Sequence, residues 1–341
     1  MTVPDYRAQV VGPDRLAALQ EDAAVAVVDH RAALAASLRE LLPTPSRDLL
    51  DDPGCWVYFP WRQAVLGLPG PEAFRRIRLD RNRDKITAAE QARLRGLRIG
   101  VVGLSVGHVI AHTLAMEGLC GSLRLADFDT VDLSNLNRIP ASVFDLGANK
   151  AVVAARRIAE LDPYLELEID PDGLRAETMD AFLDGLDIVV EECDSLPVKL
   201  ALRSAARSRG IPVLCETSDQ GMLDVERFDL EPDRPRFHGL AAEAELDTAA
   251  VLPRPAQLDL LMRLVEQPLL SERMLASLPQ VGSTLSTWPQ LGSDVVLGGA
   301  TVAAAVRRIG LGAPLPSGRV RIDLAAGLDQ LREPLGMPTV T

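Results

Sequence analysis

The strongest constraint on the fold lies in residues 97–150, where a short apolar run, a glycine turn, a helix and a second apolar run follow one another without a linker. Residues 99–102 are too few for a helix and stop at Gly103, so they predict a buried parallel strand. Gly103-Leu104-Ser105-Val106-Gly107 makes the turn. Val109, Ile110, Thr113, Leu114 and Glu117 then recur at helical spacing, and a second strand over 122–126 ends on Asp127-Phe128-Asp129. Strand, turn, helix, strand and terminal acid form the first half of a nucleotide-binding βαβ unit, in which amides at the helix N-terminus face phosphate and the acid meets ribose hydroxyls. Ser105 and His108 occupy the second and third glycine positions of the G-x-G-x-x-G fingerprint. At this level a plain helix-packing turn remains the alternative.

The residues that follow narrow the choice. Ser134-Asn135-Leu136-Asn137-Arg138 is succeeded by Gly147-Ala148-Asn149-Lys150 opening a new helix, and then by a strand ending in Glu192-Cys193-Asp194. In order and spacing this resembles the ThiF/MoeB family of adenylating enzymes, relatives of the ubiquitin-activating enzymes. The resemblance covers residues 78–229, less than half the chain. It implies a Rossmann-like α/β fold, a mostly parallel sheet with helices on both faces. It also implies ATP-dependent adenylation of a carboxylate with release of pyrophosphate.

Carried over residue by residue, the resemblance gives each group a role. The turn from Gly103 through Ser105 to Gly107 holds the nucleotide, and Asp127, with Asp129 beside it, takes the ribose hydroxyls. Asn135 and Arg138 contact the phosphates, Lys150 meets them at the reacting centre, and Asp194 holds Mg²⁺. Arg83, from the Asn82-Arg83 pair ahead of the first strand, reaches the triphosphate, often across a homodimer; a guanidinium suits this because its planar fork binds phosphate oxygens bidentately. Read alone, the residues leave other roles open: Asp127 and Asp129 as turn caps, Arg138 in a surface ion pair, Asp194 as a helix N-cap. His108 and His112 are one helical turn apart, a spacing that suits a metal, but no third ligand is evident.

Composition excludes some classes. A formal net charge of −12 argues against a nucleic-acid surface, which needs clustered Lys and Arg. The N-terminal residues have neither a basic nor an apolar leader pattern, and the apolar run 295–306 falls short of the ~20 residues a bilayer span needs. No membrane association and a cytoplasmic location are therefore expected. Four cysteines, Cys55, Cys120, Cys193 and Cys215, form no C-x-x-C pair, which speaks against a zinc site or disulfide framework. Cys215 falls on an expected strand and reads as buried.

Along the chain, residues 1–46 read as helical up to Pro43-Thr44-Pro45, with Leu34, Leu38, Leu41 and Leu42 on one face, and 55–59 reads as an aromatic strand. A basic run occupies 75–85, followed by Thr87 and Glu90 at capping-box spacing. Alternating βα segments continue to 216 and predict an open parallel sheet. A buried helix over 295–309 and an edge strand over 319–324 come last. We expect an N-terminal extension (1–75), an adenylation core (76–240) and a C-terminal extension that completes the fold (241–341). The expected substrate is a carboxylate, on a carrier protein, a peptide or a small acid. An NAD(P)-dependent oxidoreductase and a catalytically silent binding partner are the alternatives.

Overall fold

The computed structural model describes residues 5–332. Its centre is a sheet of seven strands: β5 (Arg98–Val102), β6 (Ser122–Ala126), β7 (Glu166–Asp170), β8 (Ile188–Glu191), β9 (Val213–Thr217), β10 (Met222–Glu226) and β11 (Gly318–Arg321), in the order β11-β10-β9-β8-β5-β6-β7. The five strands from β9 to β7 are parallel, and β10 and β11 add to the β9 edge as antiparallel neighbours. The order reverses at β5, since the chain moves outward through β6 and β7 and then returns to place β8 on the other side. Such a switch point opens a crevice at the carboxyl ends of the strands.

Strand side chains alternate between faces, and the two hydrophobic clusters follow that alternation. Ile99, Val101, Leu123, Leu125, Ile188 and Val190 point to the face covered by helices Val106–Glu117, Lys150–Leu161 and Gly292–Leu311. Val102, Ala126, Val189 and Val213 point to the other, covered by helices Ala176–Leu183 and Leu196–Arg209. The expected helix over 295–309 is the central part of Gly292–Leu311. Its Val295, Val302 and Val306 are fully buried, each contributing about 1.5–3 kcal/mol by leaving water.

A second sheet of four strands, in the order β1-β3-β4-β2, is built from β1 (Gln9–Val11), β2 (Ala26–Asp29), β3 (Cys55–Phe59) and β4 (Ala64–Leu68). It corrects the reading of residues 1–46 as helical, for β1 precedes helix Pro13–Glu21 and β2 separates it from helix Arg31–Arg39. These strands are three and four residues long, and pairing with β3 and β4 holds them extended, which local periodicity cannot show. The second helix also ends at Arg39, so Leu42 is exposed instead of packed. The aromatic strand packs as expected: Val57 and Phe59 are buried, and Trp56 stacks under the Arg31 guanidinium.

Among the described residues no helix is long and apolar enough to cross a membrane.

Candidate active site

The crevice at the carboxyl ends of β5, β6 and β8 gathers most of the residues singled out in the sequence. Gly103 leaves β5 with φ +85°, and a Cβ there would stand 2.5 Å from the Glu192 carbonyl oxygen. No L side chain fits, because the turn passes directly over the end of β8. Ser105 is the N-cap of helix Val106–Glu117 but caps no amide with its side chain, and Gly107 lies against Val101. The first amides of that helix therefore point into the crevice without a side-chain partner, as anion binding requires.

Asp127, at the end of β6, holds this turn in place. Its Oδ2 accepts from Leu104 N–H at 2.6 Å and its Oδ1 from Asp129 N–H at 2.7 Å. Burial raises its carboxyl above the ordinary aspartate value, and those two amides work against the rise. Asp129 is the more exposed acid of the pair and accepts from Lys150 Nζ at 2.9 Å. Lys150 is 6 % exposed, at the start of helix Lys150–Leu161, with Asn149 as N-cap accepting from Ala151 and Val152.

The segment 132–138 folds over the turn. Asn135 Oδ1 accepts from Asp132 N–H, and Asp132 in turn caps Ser134. This presents Arg138, whose Nη2 donates to Ser105 Oγ at 3.3 Å and whose Nη1 donates to Asn137 Oδ1 and the Ser134 carbonyl. No carboxylate lies within ion-pair distance of it among the described residues, and its Nε is buried without a partner. Partial burial pulls its guanidinium below the ordinary value, and nearby Asp194 acts the other way. The reading of Arg138 as one half of a surface ion pair therefore does not describe it.

The acids after β8 have three different fates. Glu191, at 0 % exposure, accepts from Lys199 at 2.9 Å and Arg203 at 2.6 Å, and Arg203 also donates to Glu226 of β10. Burial opposes ionisation there, but the two cations outweigh it and hold the Glu191 carboxyl down to about 2. This acid ties helix Leu196–Arg209 to the sheet. Glu192 turns to the opposite face, where its Oε1 accepts from Glu216 N–H. Asp194 alone is exposed, with no hydrogen-bond partner among the described residues. It is not the N-cap of the following helix, since Ser195 occupies that position.

Arg83 is the exception. It pairs with Asp80 and donates to the Leu42 carbonyl, while its neighbour Asn82 caps the Glu117 carbonyl. Both stand at the C-terminal end of helix Val106–Glu117, whose twelve residues put about 18 Å between them and the glycine turn. Within one chain Arg83 does not join the site.

His108 is buried, and desolvation together with His112 and Arg157 pushes its imidazole down to about 3. No group of three His, Cys, Asp or Glu able to hold a metal occurs among the described residues. Burial pushes the thiols of Cys120, Cys193 and Cys215 up, so none of these is poised as a thiolate. Sequence reasoning missed Glu216, buried at the end of β9 with both carboxyl oxygens unpartnered among the described residues. It also missed the loop before helix Gly292–Leu311, where the Gln290 carbonyl accepts from Asn137.

Sheet order and switch point define a Rossmann-type α/β protein. Residues 79–248 match the ThiF family, and through this segment the chain belongs to that family. It is 54 % identical over 316 residues to an uncharacterized protein of Mycobacterium tuberculosis, a match spanning 93 % of this chain and 44 % of the other. It is 31 % identical over 155 residues to the sulfur carrier protein adenylyltransferase of Thermus thermophilus, covering 45 % of this chain and 51 % of that one. The chain spans about half the length of the curated relatives it matches. The fold is shared with the E. coli tRNA N6-threonylcarbamoyladenosine dehydratase solved in complex with AMP, with a TM-score of 0.51 at 17 % identity over 71 % of this chain and 96 % of that one.

Proposed function

We propose that the crevice binds ATP and adenylates a carboxylate, forming an acyl-adenylate and releasing pyrophosphate. One observation carries the reading. Among the described residues, Arg138, a cation without an ion-pair partner that donates to the N-cap Ser105, and Asp194, an acid without a hydrogen-bond partner, lie near enough at the switch point for the acid's charge to act on the guanidinium. Charges left uncompensated in this way await a ligand of mixed charge. The AMP-bound structural neighbour and the adenylyltransferase relative agree with it.

In this reading the amides of the Gly103–Gly107 turn and Arg138 take the phosphates, with Arg138 neutralising charge that grows on the leaving pyrophosphate. Asn135 positions Arg138. Lys150 exchanges its contact with Asp129 for the α-phosphate, which frees Asp129 for the ribose hydroxyls. Asp127 keeps the role its two amide contacts define, shaping the turn, so we assign the ribose contact to Asp129. A single exposed carboxylate suits Mg²⁺, which is held by one or two carboxylates plus substrate phosphates and water. At Asp194 that ion would supply further neutralisation of phosphate charge. The substrate carboxylate belongs to a carrier protein, a peptide or a small acid.

The test is ATP–pyrophosphate exchange with candidate carriers, peptides and acids, alongside calorimetry with ATP and NAD(P). Exchange that depends on one acid, with ATP bound and NAD(P) ignored, is expected. Binding of NAD(P) in place of ATP would make the protein an oxidoreductase, and a folded chain that binds neither would make it a silent partner.

We also propose a homodimer in which Arg83 serves the site of the other copy. Arg83→Ala and Lys150→Ala should each lose exchange, and mixing the two should restore part of it, because one mixed dimer carries one complete site. A monomer by light scattering, or no recovery on mixing, would remove Arg83 from the mechanism.

A further inference from the structure

A cavity of about 600 Å³ opens away from the crevice, at the C-terminal end of helix Val106–Glu117. Its size is that of a small-molecule site. Five arginines line it, and three carboxylates answer them: Arg76 and Arg83 share Asp80, Arg78 donates to Asp162 at 3.0 Å, and Arg95 pairs with Glu72. Arg75 is left between Glu72 and Asp162 at 3.6 and 3.7 Å, beyond hydrogen-bond distance from either. Its Nη1 and the Nε of Arg78 are buried with no partner among the described residues. Burial pulls the Arg75 guanidinium below its ordinary value, the direction expected of a cation short of anions. Leu79, Ile86 and Leu165 also line it and supply apolar surface.

From this juxtaposition we infer that the cavity is a second ligand site, separate from the nucleotide crevice, for an amphipathic anion: a carboxylate or phosphate monoester with an alkyl body. The head group supplies negative charge to a cluster in which five arginines meet only three carboxylates. The alkyl body lies on the leucine and isoleucine wall. A free phosphate would leave that wall wet, and an uncharged alkyl chain would leave the arginines unpaired. A nucleotide in the crevice of the same copy stands about 18 Å away, the length of the intervening helix, so the two ligands of one chain do not overlap.

Calorimetry on the full chain tests this with hexyl phosphate and hexanoate as probes and hexanol as the uncharged control. At least one anion should bind saturably, with hexanol at least about tenfold weaker, and the preferred anion identifies the head group. Two variants guard against misfolding as an explanation. Arg95→Gln changes an exposed rim residue and should weaken anion binding severalfold, and Ala92→Trp fills the mouth from an exposed helix position and should abolish it, with melting temperature unchanged in both. No saturable heat from either anion, hexanol binding as tightly as they do, or undiminished binding in both variants would overturn the inference. ATP calorimetry on the same samples is independent, so failure of the nucleotide reading leaves this one standing.

Discussion

Asp194→Asn is expected to lower pyrophosphate exchange at least about a hundredfold, close to 3 kcal/mol of transition-state stabilisation, while leaving the melting temperature unchanged. The stability half of that expectation rests on what Asp194 does not do. Among the described residues it accepts no hydrogen bond, and Ser195 is the N-cap of helix Leu196–Arg209, so no hydrogen bond or cap is lost there. Substitutions at such positions stay within about 0.5 kcal/mol. The activity half rests on charge, since asparagine keeps the shape of aspartate but does not attract a divalent cation. ATP titrations with and without Mg²⁺ check this, because the variant should lose the metal-dependent part of its affinity. Unchanged exchange at unchanged melting would take Asp194 out of the site; a large fall in melting temperature would make it structural.

How far the sequence reaches is set by which contacts are local. The strand over 99–102, its glycine stop and the following helix were legible because each is fixed within a few residues by apolar runs and one obligatory glycine. The three acids at the end of β8 were visible, but their separate duties were not. Consecutive strand residues point to opposite faces, and only the packed helices show that Glu191 meets Lys199 and Arg203 while Glu192 meets Glu216. Strands β1 and β2 escaped because long-range pairing with β3 and β4 makes them. β10 escaped although it forms a local hairpin with β9 and a signal existed, the Asp219-Gln220-Gly221 turn ahead of it. Arg83 is the instructive case. A segment that precedes a parallel strand enters at the sheet's amino end, so topology alone places it away from the carboxyl-end crevice, and proximity in sequence to the glycine turn carries no spatial meaning.

Glu216→Gln should flatten the stability profile between about pH 4.5 and about pH 8. Glu216 is 3 % exposed, its carboxyl lies against Gly298, and neither oxygen has a hydrogen-bond partner among the described residues. Burial, with Asp294 adding its charge, pushes it up from the ordinary 4.5 to about 8. Glu192 beside it is also raised, by burial and by Glu216. A raised carboxyl keeps its proton in the folded chain and loses it in the unfolded one. Its contribution is therefore complete below about 4.5 and is lost as pH rises toward about 8, at a slope of about 1.4 kcal/mol per pH unit. His108 has the opposite sign: lowered from 6.5 to about 3, it costs stability as pH falls below 6.5, because the unfolded imidazole takes up a proton that the buried one refuses. Denaturant titrations from pH 5 to 9 on both proteins, taken as a difference, cancel the histidine slope and leave the carboxyl. The variant should gain on the wild type steadily toward pH 8 and hold that gain above it. Parallel profiles would mean that Glu216 is ionised in the folded protein, with water or a cation supplying the partners its oxygens lack.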